Sequence, residues 1–170
     1  MDIKMPTSCT SFDDKKNREF IKIFDKLGSL DCSYFSYTIE RDDGIRKNFF
    51  LNNTWLNTYL NEGFIQTCPL TMICRVKGSA FIQWSLLNSL DKAQKTSMNA
   101  RKDLEMHNGV TISSYVSGTK EMIAMATTKN NHKFGQIILE NKEFVQEQIL
   151  GMRKIAIESN DFECPSSCAI

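Results

Sequence analysis

Apolar residues recur at helical spacing in three long stretches, and each stretch is bounded by residues that cap helices. These stretches run to residue 27, to residue 106 and to about residue 158. The possible N-caps are Ser11 or Asp13, Ser89 or Asp91, and Asn141, and the stops are Gly28 and Asn108-Gly109. A shorter helix, capped by Asn52 or Asn53 and ended by Gly63, is predicted around residues 52–62.

The inward faces of these helices are predicted from their apolar stripes. The first stripe consists of Phe20, Ile21, Phe24 and Leu27, with Lys15, Lys16, Arg18 and Lys22 in solvent; the middle helix turns Leu90, Ala93, Ser97, Ala100 and Leu104 inward; the last stripe is Val145, Ile149, Met152 and Ala156. Leu150 and Ile157 lie off the last stripe. This second apolar face indicates either a partner chain or a broad core stripe.

Between the helices, short runs rich in aromatic and β-branched residues predict strands. Residues 32–39 form one strand before a charged turn at residues 40–44. Residues 110–116 and 121–128 flank Ser-Gly-Thr-Lys, which indicates a hairpin. Shorter extended segments are expected at 64–67 and 81–84. Helices before, within and after several strands predict an α/β fold, an α/β/α sandwich around an antiparallel sheet.

Composition and charge exclude several classes of protein. With 170 residues and 41% apolar residues, the chain is expected to form one globular domain. The net charge of +1 and the absence of a basic run argue against direct binding to nucleic acid. No apolar stretch is long enough to span a bilayer and no secretory signal is visible, so a cytoplasmic protein is expected.

Six cysteines are irregularly spaced, and none forms the close C-x2-C pair typical of zinc sites. They are interpreted as reduced cytosolic thiols. No metal and no cofactor are therefore expected.

The candidate chemistry lies between Trp55 and Trp84. Trp55 and Tyr59 stand one helical turn apart on the same face, and Cys68-Pro69 and Trp84 follow. An indole N–H donates a hydrogen bond and a phenol donates or accepts one, so this pair suits an apolar ligand with two carbonyls. The alternative is that the three rings are ordinary core aromatics.

This series resembles the autoinducer-binding domain of LuxR-type quorum-sensing regulators. That family reads W-x3-Y, then D-P, then a second W, and this chain reads W-LNT-Y, TCP and FIQW. ARKDLEMHNGVTI extends the resemblance, which spans roughly residues 12–157. It implies about five strands with helices on both faces, and the ligand between the sheet and one helical layer.

The resemblance also implies roles for individual residues toward an N-acyl-homoserine lactone. Trp55 would donate to the lactone carbonyl, Tyr59 would bond the acyl carbonyl, and Trp84 would pack near the ring. Pro69 belongs to the same motif and restrains the backbone at Cys68. Ala124 falls where many relatives offer a hydroxyl.

Cys68 is the main departure, because the family has an Asp there that accepts the ligand amide N–H. A thiol accepts hydrogen bonds poorly, so a thiol in place of the carboxylate should weaken the free energy of lactone binding by about 1.5–3 kcal/mol. The pocket is thus expected to favour a ligand without an amide N–H, to bind lactones weakly, or to have lost binding. Neither His107 nor His132 is placed by the sequence beside Cys68, so no enzymatic function is expected.

LuxR-type regulators continue into a DNA-binding helix-turn-helix, which the last residues, NDFECPSSCAI, cannot form. The expected division is a flexible leader (1–10), an autoinducer-binding-like domain (11–158) and a tail (159–170). Two functions stay open. One is a sensing domain for a small-molecule signal, which acts in transcription regulation through ligand binding and dimerisation, as a homodimer or as a heterodimer with a LuxR-type regulator. The other is a stand-alone protein that forms heterodimers with full-length LuxR-type regulators and antagonises them.

Overall fold

Six strands form one sheet in the computed structural model, which describes residues 5–157. The strands are β1 (Ser8–Ser11), β2 (Tyr34–Arg41), β3 (Ile45–Phe50), β4 (Ala80–Gln83), β5 (Asn108–Val116) and β6 (Thr119–Thr127). Their order across the sheet is β1-β3-β2-β6-β5-β4. All neighbours are antiparallel except the edge pair β1–β3. The predicted antiparallel sheet is confirmed, with six strands instead of about five and one parallel edge.

Two helical layers cover the sheet. The described residues contain α1 (Asp14–Leu27), α2 (Asn53–Asn61), α3 (Phe64–Thr67), α4 (Pro69–Lys77), α5 (Lys92–Asp103), α6 (Phe134–Glu140) and α7 (Lys142–Ile157). Helices α1, α6 and α7 pack in one core on one face. Helices α2 to α5 pack in a second core on the other face. The predicted α/β/α sandwich is therefore confirmed.

The helix starts follow the capping residues predicted from the sequence. The Asp13 carboxylate accepts the N–H of Lys16 at 2.9 Å, and the Asn52 side chain accepts that of Trp55 at 3.0 Å. Asp91 forms a complete capping box with Gln94. Each side chain satisfies an N–H that has no partner within the helix.

Three local predictions were wrong. Residues 64–67, expected to be extended, form α3, because left-handed Gly63 reverses the chain there. Asn108-Gly109 does not end the middle helix but begins β5, and Glu105, at φ 63°, supplies the turn instead. Lys16 is buried rather than solvated, and its ammonium donates to the Ala156 carbonyl at 3.2 Å.

The packing also differs from the predicted stripes at individual positions. Ile21 and Ala93 are exposed, whereas Ile23, Met98 and Arg101 are buried. The last stripe is confirmed: Val145, Met152 and Ala156 are buried, and Leu150 and Ile157 are exposed.

At the amino terminus, residues 8–10, assigned to the leader from the sequence, lie in β1 beside β3. Residues 1–4 and the predicted tail at 159–170, with Cys164 and Cys168, lie outside the described residues. No helix among residues 5–157 is long and apolar enough to cross a membrane. Within the same residues, no group of three or more His, Cys, Asp or Glu side chains could hold a metal ion.

Strand β2 shows how one sheet supports two different cores. Successive side chains of a strand point to opposite faces. Phe35, Tyr37 and Ile39 enter the core with α1, α6 and α7. Ser36, Thr38 and Glu40 alternate with them and are also buried. The face toward α2 to α5 is thus lined by polar groups, and the candidate site lies there.

Candidate ligand-binding site

A small cavity lies between the polar face of the sheet and helices α2 to α5. Its volume is about 40 Å³. Its walls come from β2, β3, β5 and β6 and from helices α2, α4 and α5; they include Tyr34, Ser36, Trp55, Tyr59, Thr71, Arg101, Thr111 and Ala124. Room of this size accommodates one or two water-sized groups.

The Trp55–Tyr59 pair stands on α2 as the sequence predicts. Both side chains are buried and line the cavity, with ring centroids 5.6 Å apart in an edge-to-face arrangement. The Tyr59 hydroxyl and the Thr71 Oγ1 are 2.8 Å apart and share a hydrogen bond. The indole N–H of Trp55 makes no hydrogen bond to any residue in the described range 5–157.

Trp84 does not line the cavity but lies beside Arg101, which does, and it is held on two sides. Its indole N–H donates to Thr111 Oγ1 on β5 at 2.9 Å. Its ring lies against Gly109, where a Cβ would meet Trp84 Cδ2 at 2.6 Å. Glycine is required at position 109 because any side chain would displace the indole.

Arg101 on α5 extends its side chain between the two tryptophans. The guanidinium carbon lies over the Trp55 ring at 4.7 Å and over the Trp84 ring at 5.5 Å. Only 5% of the residue is exposed. Cation–π contacts of this kind stabilise a guanidinium more strongly when it is desolvated.

The thiol of Cys68 is the nearest polar partner of that guanidinium on another element. Arg101 Nη2 donates to Cys68 Sγ at 3.1 Å. Burial alone would raise the pKa of Cys68, but the charge of Arg101 and hydrogen bonds from Thr71 and Arg101 lower it below 9.0. Cys74, with no such cation bonded to it, has a pKa raised by burial to about 11. Arg101 thus favours the thiolate form at Cys68.

Two further arginines flank the site around one carboxylate. Arg75 makes two hydrogen bonds to Glu40, both at 2.9 Å, and Arg46 donates to the same carboxylate at 3.0 Å. Burial raises the pKa of Glu40, and the two guanidinium groups, Arg75 first, outweigh it and hold that pKa below 4.5. The carboxylate is therefore ionised at neutral pH.

The hydroxyl of Tyr34 is a further polar group of the site. It is buried and has no hydrogen-bond partner within the described residues. Burial raises the pKa of this phenol well above its usual range, so it remains a neutral donor. A buried unpaired hydroxyl beside a cavity is unusual, because such groups cost free energy unless something satisfies them.

The structure brings most of the predicted site residues together. Trp55, Tyr59 and Ala124 line the cavity, and Cys68 and Trp84 contact Arg101, which also lines it. Pro69 does not reach it. This proline is the first residue of α4 and lies beside a separate surface groove.

Sequence reasoning missed Arg101, Tyr34 and Thr71. Two signals were available. The run Tyr-Phe-Ser-Tyr-Thr-Ile-Glu alternates apolar and polar residues, which marks Ser36, Thr38 and Glu40 as one polar face. Arg101 also follows the predicted inward residue Ser97 by four positions, which puts both on one helix face.

Solved structures share this architecture. Escherichia coli SdiA matches with a TM-score of 0.62 and 11% identity over 86% of this chain. CepR2 of Burkholderia cenocepacia matches at 0.56 and 12% over 81% of this chain and 80% of its own. The ligand-binding domain of Pseudomonas aeruginosa VqsR matches at 0.55 and 9% over 84% and 99%. This chain spans 64% of the SdiA chain.

Sequence comparison supplies the family. No curated protein matches this chain. The family model described as the autoinducer binding domain, however, matches residues 18–147, which is most of the chain. The chain therefore belongs to the autoinducer-binding domain family, as its tryptophan and tyrosine series predicts.

Proposed function

We propose that this chain senses a small-molecule signal of quorum-sensing type, an acyl-homoserine lactone or an analogue, and acts in transcription regulation. The observation that carries the proposal is the polar cavity between the sheet and helices α2 to α5. The Trp55 indole N–H and the Tyr34 hydroxyl lack partners in the described residues and line this cavity. Tyr59 and Thr71 add a hydroxyl pair beside them.

Relatives with solved structures support the ligand class. One structure is of SdiA in complex with octanoyl-rac-glycerol, and CepR2 is described as dependent on N-acylhomoserine lactone. Both ligands join an acyl chain to a compact polar group. The proposed roles of Trp55, Tyr59 and Trp84 toward such a polar group follow from the family pattern.

The size of the cavity predicts how such a ligand would enter. At about 40 Å³ it has room for a polar group but not for an acyl chain. Met98, Met106 and Met122 contribute to the surrounding core. Methionine side chains are flexible and unbranched, so they can repack around a chain. We therefore expect binding to require side-chain movement in the layer of α2 to α5.

A thermal-shift and calorimetry screen tests the proposal, with acyl-homoserine lactones, aryl lactones, acylglycerols and pyrones as probes. A positive result is saturable stabilisation that Trp55→Phe and Tyr59→Phe each weaken. Leu60→Ala is the control, since Leu60 lies on the same helix and is exposed. Failure of every probe to bind, with the fold intact, would refute the sensor function.

A second candidate function is an interaction protein that pairs with LuxR-type regulators, and α7 supports it. Leu150 is 54% exposed and Ile157 is 59% exposed. A groove of about 440 Å³ runs between α7 and the sheet, with Phe81, Leu139 and Leu150 on its walls. We propose homodimers or heterodimers through this segment. Tight heterodimers with a full-length regulator, unaffected by ligand, would favour this function over sensing.

A further inference from the structure

The guanidinium of Arg101 is buried without a carboxylate partner. Its hydrogen bonds go to the Ser97 carbonyl at 3.2 Å, to the Met98 sulfur at 3.8 Å and to Cys68 Sγ at 3.1 Å. No Asp or Glu among residues 5–157 forms an ion pair with it. A buried charge is normally paired, because removing it from water costs far more than removing a neutral group.

Part of the hydrogen-bonding capacity of Arg101 is unused. A guanidinium has five N–H donors in one plane. The Nε–H group and one of the two hydrogens on Nη2 make no hydrogen bond to any residue of the described chain. The unpaired Tyr34 hydroxyl lines the same cavity as Arg101. Arg101 on α5 and Tyr34 on β2 thus line one cavity, and each has a donor that bonds no residue of the described chain.

The buried charges on this face of the sheet add up to a positive net charge. Three guanidinium groups, those of Arg46, Arg75 and Arg101, are buried there. Glu40 is bonded to Arg46 and Arg75 and not to Arg101, whose polar partner on another element is the Cys68 sulfur. Even if Cys68 is a thiolate, three cations face two anions. One positive charge then remains unbalanced. An acceptor with a negative charge would satisfy both the donors and the charge.

We propose that the ligand of this site carries a carboxylate, and that Arg101 binds it. The inference rests on the proposed sensing function and specifies its ligand class: an acyl chain that ends in an acid, such as the ring-opened N-acyl-homoserine, rather than the neutral lactone. Arginine binds carboxylates through two parallel hydrogen bonds.

Cys68 has a defined part in this arrangement. The family pattern has an Asp at this position, which would pair with Arg101 and occupy its donors. The smaller and weaker acceptor in this chain leaves guanidinium donors available. Cys68 therefore leaves part of the Arg101 guanidinium for the carboxylate of a ligand.

The test compares two probes that differ by one molecule of water. Calorimetry measures N-octanoyl-homoserine and N-octanoyl-homoserine lactone against the whole chain, in slightly acidic buffer where the lactone ring survives. We expect the acid to bind at least about tenfold more tightly, as a charge-assisted bond requires. Octanoate is expected to bind and octanoyl-glycerol to bind more weakly.

Variants at position 101 identify the cause of that preference. Arg101→Met, close in length and neutral, should abolish the preference for the acid, and Arg101→Lys should retain part of it. The melting temperature of each variant shows whether it is folded. The comparison of acid with lactone on the unaltered chain needs no variant, so it decides the matter even if both fail to fold.

The outcomes separate this inference from the proposed function. Binding of the lactone as tightly as the acid, or more tightly, overturns the carboxylate proposal and leaves the sensor function standing. A preference for the acid that persists in folded Arg101→Met overturns the assignment to Arg101. Binding of neither compound, nor of any probe in the wider screen, refutes both.

Discussion

Substitution of Glu40 by Gln should destabilise this protein more than any other single charge removal on the face of the sheet that packs against α2 to α5. Glu40 accepts three hydrogen bonds from two guanidinium groups, with donor–acceptor distances of 2.9, 2.9 and 3.0 Å. All three side chains are at most 5% exposed. Glutamine keeps the shape of the side chain but removes the negative charge, which leaves Arg46 and Arg75 buried without a counter-ion.

The size of the effect follows from that uncompensated charge. Breaking a buried ion pair by removing one partner costs about 3–5 kcal/mol. A domain of this length has a free energy of unfolding of about 5–15 kcal/mol, so the loss is a large fraction of the total. The corresponding drop in melting temperature is roughly 6–20 °C.

Urea denaturation of both proteins at neutral pH measures this difference. Glu19→Gln is the matched control, since Glu19 forms an exposed pair with Lys22 and its loss should cost less than about 1 kcal/mol. The double variant Glu40→Gln, Arg75→Met should recover part of the lost stability. If Glu40→Gln costs no more than the control, the buried triad does not stabilise the fold and the reasoning is refuted.

The pH dependence provides a second check. The folded-state pKa of Glu40 lies below 4.5, because Arg75 and Arg46 outweigh the effect of burial. The stabilisation is therefore fully present above pH 4.5 and is lost as the pH falls through the folded-state value. The difference in stability between the unaltered chain and Glu40→Gln should shrink as the pH is lowered below 4.5. A constant difference would contradict this assignment.

Three other predictions concern the site and α7. Cys68→Asp should be about 1.5–3 kcal/mol more stable than Cys68→Asn in urea denaturation, because only the carboxylate pairs with Arg101; equal stabilities would contradict this. Gly109→Ala should lower stability by about 1–3 kcal/mol and shift the tryptophan fluorescence, whereas Gly28→Ala, with nothing within 4 Å, should change neither. Charges introduced at Leu150 and Ile157 should prevent association in light scattering and change unfolding by less than about 0.5 kcal/mol; an unaltered chain that stays monomeric would refute dimerisation through α7.

Local signals account for the parts of the fold that were predicted correctly. Asp13, Asn52 and Asp91 are capping residues whose hydrogen bonds depend only on neighbours three positions away. The β5–β6 hairpin has its turn at Ser117-Gly118, both with positive φ. Such features depend on a few adjacent residues, so the sequence carries them directly.

The missed elements depend on distant partners. Strand β3 carries Arg46 and Asn48 inward, and these polar residues hide the alternation expected of a strand. Their burial depends on partners on β2: Arg46 donates to Glu40, and Asn48 accepts from Thr38. For α4, the local signal of a proline at the first helical position was present. The apolar and β-branched residues at 64–67, just before this proline, favoured an extended interpretation. They form α3 instead, because the left-handed Gly63 begins a helical turn there.

The site shows the same division. Trp55, Tyr59 and Trp84 were predicted because their spacing is itself a pattern. Arg101 was not, because an arginine on a helix is normally solvated and only the three-dimensional packing reveals its burial. Its position between the two tryptophans depends on α2, α5 and the segment after β4 meeting in one place.

The two faces of the sheet differ in how far their buried groups stabilise the fold. The face toward α1, α6 and α7 contains an apolar core with aromatic contacts such as Phe20–Phe49 at 5.0 Å, and it stabilises the fold without any ligand. On the other face, Arg101 is buried without a carboxylate partner among the described residues, and the buried Tyr34 hydroxyl has no hydrogen-bond partner there; these two groups lower stability. A ligand that satisfied those groups in the folded state alone would add about 2.7 kcal/mol to the free energy of unfolding at a concentration one hundred times its dissociation constant. The groups that lower the stability of the free protein are therefore the ones through which a bound ligand would raise it.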